Sequence, residues 1–194
     1  MAGTQVISDN VLDAVRSAMT LSPDYLVMGM SAITFYGGVP GADAFQKKVA
    51  DVAKVGISIG SHSCRAALQA YGGVKRVAFI SPYFPAANDE VRQYFSDCGY
   101  EVAGDVGLQC RRWTAIAEVT EAEVAEAVHQ VNADDVDAII QVGTNLSMIR
   151  LAAQLEVELE KPIIAINTAT YWHALRANGF TEKIAGFGRL LSDF

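Results

Sequence analysis

The residues best suited to chemistry are small hydroxyl and amide side chains gathered where apolar runs end: Gly29-Met30-Ser31, Ser61-His62-Ser63, Ser81-Pro82-Tyr83, Gly143-Thr144-Asn145 and Asn167-Thr168. Hydroxyls, a carboxamide and the backbone N–H groups at helix starts donate hydrogen bonds to carboxylate oxygens, and the helix dipole favours negative charge there. The same residue types are ordinary helix caps, so each cluster has a structural reading beside the functional one. Their recurrence predicts a shared pocket for a small carboxylate.

Other chemistries have less to work with. Cys64 stands at an expected helix start, where the dipole lowers a thiol pKa, and His62 beside it is suited to act as base or proton donor. The alternative is that Cys64 faces the core and His62 caps the helix. Cys64, Cys98 and Cys110 are too scattered for a metal motif, and His62, His129 and His173 show no paired ligand spacing, so no metal is expected. No Gly-rich nucleotide loop is present, and no cofactor is expected.

Composition narrows the partners. With a formal net charge of −7 over 194 residues, the chain is a poor match for nucleic acid or an anionic membrane, which are bound through clustered Lys and Arg. No run approaches the roughly 18–20 apolar residues of a membrane span, and residues 1–10 lack a secretion pattern. The expectation is a cytoplasmic protein with a small-molecule partner.

These side chains must be positioned by alternating elements. Short apolar runs at Tyr25–Gly29, Gly56–Ile59, Arg76–Ile80, Glu101–Gly107, Val136–Val142 and Pro162–Ile166 read as strands. Helical periods cover Asn10–Thr20, Ala42–Ala53, His62–Tyr71, Asn88–Cys98, Glu121–Asn132, Ser147–Glu160 and Thr170–Asn178, with Thr120 and Glu123 forming a capping-box pattern. Strand and helix in alternation predict an α/β fold with parallel sheets, and such sheets bind ligands beyond the carboxyl ends of their strands.

On Gly29-Met30-Ser31 with Thr34-Phe35-Tyr36, Gly73-Val74-Lys75-Arg76-Val77, the Tyr83 junction and Gly186-Phe187-Gly188-Arg189-Leu190, the chain resembles the arylmalonate decarboxylase and maleate cis-trans isomerase branch of the aspartate/glutamate racemase superfamily. The resemblance implies two similar α/β lobes across a ligand cleft: residues 1–72 with 170–194, and residues 73–169. It implies a carboxylate held by Met30, Ser31, Tyr83, Gly143, Thr144 and Asn145, with Val142, Trp113, Ile116, Asn167 and Thr168 as pocket wall. Trp113 would narrow the pocket, and Arg111 or Arg112 would pair with a second carboxylate or remain a solvated basic pair.

The departures are as informative. The superfamily's two thiol positions fall on Gly29 and Val142, which neither transfer a proton nor form a thioether. A two-cysteine racemase is thereby excluded, and His62 and Cys64 are the substitute proton donors to consider. Relatives also begin with another strand, whereas this chain enters near a helix at Asn10; a first lobe without its opening strand leaves a sheet edge that a homo-oligomer would cover. The implied activity is a cofactor-independent carboxylate lyase acting on a small malonate-like diacid. The alternatives are a maleate isomerase-like enzyme using another group and a non-catalytic carboxylate-binding protein.

Overall fold

Val77-Ala78-Phe79-Ile80 has no polar face, which is the pattern of a strand covered on both sides. In the computed structural model, which describes the backbone of residues 2–194 and the side chains of residues 10–194, all four are fully buried. They belong to β3 (Arg76–Ser81), one of the two inner strands of a four-stranded parallel sheet that also contains β4 (Glu101–Gly107), β5 (Ala138–Gln141) and β6 (Ile163–Ala165) in the order β4-β3-β5-β6. A second sheet pairs β1 (Tyr25–Val27) in parallel with β2 (Gly56–Ser58).

Helices α1 (Ala2–Ala18), α2 (Gly38–Ala53), α3 (Gly60–Tyr71), α4 (Pro85–Asp97), α5 (Trp113–Ile116), α6 (Glu121–Val131), α7 (Ile149–Leu159), α8 (Ile166–Ala177) and α9 (Arg189–Ser192) complete the chain. Alternation along β3 divides the interior. Val77 and Phe79 face a large core that includes Phe35, Val49 and Ile57 from around the two-stranded sheet and Tyr94 and Phe95 of α4. Ala78 and Ile80 face a second core built with Val124 and Val128 of α6 and Leu151 and Leu155 of α7. The first core therefore joins the two sheets. Among the described residues, no helix is long and apolar enough to cross a membrane.

Every strand appears where the apolar runs predict one, and the α/β architecture with parallel sheets is the one expected. Boundaries moved where caps decide them. The α6 start is the expected one, with Thr120 and Glu123 bonding reciprocally across the first turn. Helix α4 begins at Pro85 rather than Asn88, since proline suits a first helical position. Helix α1 begins before Asn10, and α8 follows β6 directly at Ile166 rather than starting at Thr170. Asn167 and Thr168 are consequently in the first turn of α8, not in a loop.

The chain leaves β3 for β4 on one side, then crosses to β5 on the other. This reversal opens a crevice at the carboxyl ends of β3 and β5, the usual ligand position in open α/β sheets.

Candidate functional site

Three separate turns converge at that crevice. Ser31 follows β1, Tyr83 follows β3, and Thr144 follows β5. Ser31 Oγ lies 2.9 Å from Tyr83 Oη and accepts a hydrogen bond from the Thr144 N–H at 3.1 Å. The Thr144 hydroxyl donates to the Gly29 carbonyl at 3.0 Å. A cavity of about 420 Å³ opens beside them, lined by Met30, Tyr83, Gly143, Thr144 and Asn145 and, on its apolar side, by Ala32, Trp113 and Ile116.

The turns approach this closely because of particular residues. Gly143 has φ +103°, and a Cβ there would lie 2.5 Å from Pro82 Cδ, so only glycine lets the β5 turn press against the β3 turn. Gln141, buried at the end of β5, donates from Nε2 to the carbonyls of Val142 and Gly143 at 2.9 and 2.8 Å. Behind the turn, Asn167 Nδ2 donates to the Thr144 carbonyl at 2.9 Å.

Tyr83 has its own support. Its N–H donates to Ser81 Oγ at 3.0 Å; Ser81 donates in turn to Asn88, whose amide donates to Asp105 Oδ2 at 2.7 Å. Arg92 pairs with the same carboxylate. Burial pushes the Tyr83 phenol up to about 12, against a smaller opposing effect of the Ser31 hydrogen bond. The phenol is therefore a protonated donor at neutral pH.

An anion entering this cavity would meet two hydroxyls able to rotate their protons toward it. Among the described residues, the N–H groups of Met30 and Gly143 have no intrachain acceptor, which leaves two backbone donors in the same turns. Met30 itself offers only an exposed thioether side chain, so its contribution is confined to the backbone.

The expected wall is only partly in place. Trp113 and Ile116 border the cavity, and Asn145 Nδ2 ties their short helix to the site by donating to the Trp113 carbonyl at 2.9 Å. Val142 is fully buried and faces the core instead, because β-strand alternation turns it away from the crevice. Thr168 is also buried, within α8. Asn167 supports the Thr144 turn from behind rather than lining the cavity.

His62 and Cys64 are elsewhere. Helix α3 starts at Gly60, ahead of the expected His62, and this phase turns His62 toward α2: Nδ1 is 3.0 Å from Gln46 Oε1 and Nε2 is 2.9 Å from Asp43 Oδ1. Burial, with Arg65 nearby, lowers the His62 pKa, and Asp43 only partly opposes this. Cys64 is wholly enclosed in the core, where burial raises its thiol pKa far above the ordinary value. Neither borders the cavity, and desolvation outweighs the helix dipole that would have activated the thiol.

The supporting residues Asn88, Asp105, Arg92 and Gln141 were not singled out in the sequence. Only the Ser81-Pro82-Tyr83 junction signalled part of this network; the remainder depends on partners brought together by the sheet.

A family profile described as arylmalonate decarboxylase matches residues 3–191. A curated maleate isomerase of Pseudomonas putida is 25% identical over 119 residues, covering 61% of this chain and 48% of the relative. The chain spans about half the length of the curated relatives it matches. Among solved structures, a double variant of arylmalonate decarboxylase in its liganded form superposes with a TM-score of 0.92 at 21% identity, covering 100% of this chain and 83% of that one. A maleate isomerase variant from Pseudomonas putida S16 with maleate gives a TM-score of 0.88 at 22% identity, covering 95% and 76%. With a profile match over almost its full length and the corresponding fold, the chain belongs to the arylmalonate decarboxylase family, in the branch of the aspartate/glutamate racemase superfamily that includes the maleate isomerases.

Proposed function

We propose that the crevice binds one carboxylate of a small malonate-like diacid and that the protein is a cofactor-independent carboxylate lyase. The observation that carries this reading is the convergence of Ser31 Oγ, the Tyr83 phenol and the Thr144 N–H beside a cavity with an apolar opposite wall. The retained carboxylate sits on the donors at Ser31, Tyr83, Met30 and Gly143, with the Thr144 N–H orienting Ser31 by donating to its Oγ. The departing carboxylate faces Ala32, Trp113 and Ile116, where its charge is poorly solvated.

Cleavage of the carbon–carboxylate bond releases carbon dioxide and leaves the electron pair on the α-carbon. That pair delocalises into the retained carboxylate, where the hydrogen-bond donors stabilise the added charge. A proton must then reach carbon. No thiol or imidazole lines this cavity, so the reading assigns the proton to solvent entering through the open mouth and expects a racemic product. Isomerisation by thiol addition has no nucleophile at this wall, which makes the lyase reading preferable to an isomerase.

The same lack of a fixed acid favours one second reading, a protein that binds carboxylates without turning them over. Incubation with substituted malonates and maleate in deuterated water, followed by NMR, separates the two. Loss of a malonate with deuterium appearing at its α-carbon supports the lyase. Saturable binding without turnover supports the binding protein, and no interaction with any diacid removes both.

A further inference from the structure

We propose that the ligand of this crevice carries a second anionic group at the end of an apolar arm, held by Arg111 and Arg112. The inference rests on the reading that Ser31, Tyr83 and Thr144 hold the near carboxylate.

The first observation is space. A second cavity of about 410 Å³ adjoins the first, shares Ala32, Tyr83, Trp113 and Ile116 with it, and is closed by Phe84, Arg111 and Arg112. Together the two are sized for a ligand considerably longer than malonate, since pockets of roughly 300–1,000 Å³ accommodate drug-sized molecules. Aromatic side chains line the passage: Trp113, shared by both cavities, is 68% exposed, and Phe84, on the wall of the second, is 48% exposed. Large apolar side chains left in water at a cavity rim lose hydration cost when an apolar arm covers them.

The second observation is charge. Arg76, Arg92 and Arg189 each stand beside a carboxylate. Among the described residues, Arg111 and Arg112 have neither an ion-pair nor a hydrogen-bond partner, although the chain carries a net charge of −7. A third cavity, which shares Ala32 and Trp113 with both, contains Glu90, which repels an anion and is itself engaged with the Gly37 N–H. The other ionisable groups lining the arginine side are the Tyr83 phenol and the Cys110 thiol, whose pKa is raised by burial and by the charge of Glu123, a carboxylate already bonded to Thr120. An arm leaving the carboxylate site is thus drawn along Trp113 toward the arginines. Two guanidinium groups suit bidentate pairing with a carboxylate.

Calorimetric titration with phenylacetate and with 1,4-phenylenediacetate tests this without requiring turnover. At low salt the diacid is expected to bind about tenfold more tightly than the monoacid, a ratio that reflects one charge-assisted contact. The ratio should fall toward about two, the statistical advantage of a diacid with two equivalent ends, in the Arg111→Ala/Arg112→Ala double variant and at high salt, and be partly kept in the Arg111→Lys/Arg112→Lys variant. If phenylacetate binds, weakens in Tyr83→Phe, and the diacid has no advantage, the carboxylate site stands and this inference fails. A diacid advantage beyond that statistical factor that survives the double alanine variant also overturns it. If neither acid binds, the carboxylate site and the inference fall together.

Discussion

Two polar regions sit close in the fold and share residue types, but differ in what they can reach. At the crevice, Ser31, Tyr83 and Thr144 bond one another beside an open cavity. In the interior, Cys64 is enclosed in the core while His62 is engaged with Asp43 and Gln46. The interior pair has the more reactive side chains, yet the crevice has the access and the convergent donors. Reactivity by residue type is therefore a weak guide here; helix phase and desolvation decide which polar group meets a ligand.

Removing the phenol is the largest test of that contrast. Tyr83→Phe is expected to weaken malonate or maleate binding by at least about tenfold, because a hydrogen bond to a charged acceptor is worth roughly 1.5–3 kcal/mol. An NMR or calorimetric titration checks this; unchanged affinity would place the carboxylate somewhere else.

Geometry can be broken without touching a donor. Gly143→Ala adds a Cβ 2.5 Å from Pro82 Cδ at a positive-φ position, and is expected to cost on the order of 2–3 kcal/mol and to loosen carboxylate binding. Urea unfolding measures the first effect and titration the second. A fully stable variant with normal affinity would show that the two turns need not touch.

The interior should respond in the opposite sense. Cys64→Ala leaves a small cavity in the core, with an expected loss of about 1–2 kcal/mol and no change in carboxylate affinity. Lost binding at retained stability would return Cys64 to the site.

The smallest effect is the pH dependence of stability. His62 is held below its ordinary pKa of 6.5, chiefly by burial, so the unfolded chain takes up a proton more readily than the folded one. Stability is then fully present above 6.5, falls as pH drops toward the lower folded value, and levels off beneath it. His173 is shifted in the same direction by burial and adds to the slope. His62→Gln should flatten the profile of urea midpoints in this window; an unchanged profile would show that His62 does not contribute to it.

Much of the architecture was legible because parallel strands covered on both faces leave nearly continuous apolar runs, as in β3, and because a capping box marks the start of α6. The crevice was legible through the small polar residues following β1, β3 and β5. Helix starts were harder: the N-caps Ile59 and Ala165 offer no capping side chain, so the phases of α3 and α8 were not visible, and His62, Cys64, Asn167 and Thr168 were expected in the wrong surroundings. The network from Ser81 through Asn88 to Asp105 was hidden for another reason, since its members lie on different elements.

By itself, the sequence determined an α/β chain with parallel strands, an acidic surface and donor-rich turns, because periodicity and composition are local properties. Tertiary structure alone decided which of those turns share a cavity and which reactive side chains are enclosed. The physical reason is that hydrogen bonds between Ser31, Tyr83 and Thr144 join residues distant along the chain, and access to solvent belongs to the packed molecule rather than to any residue within it.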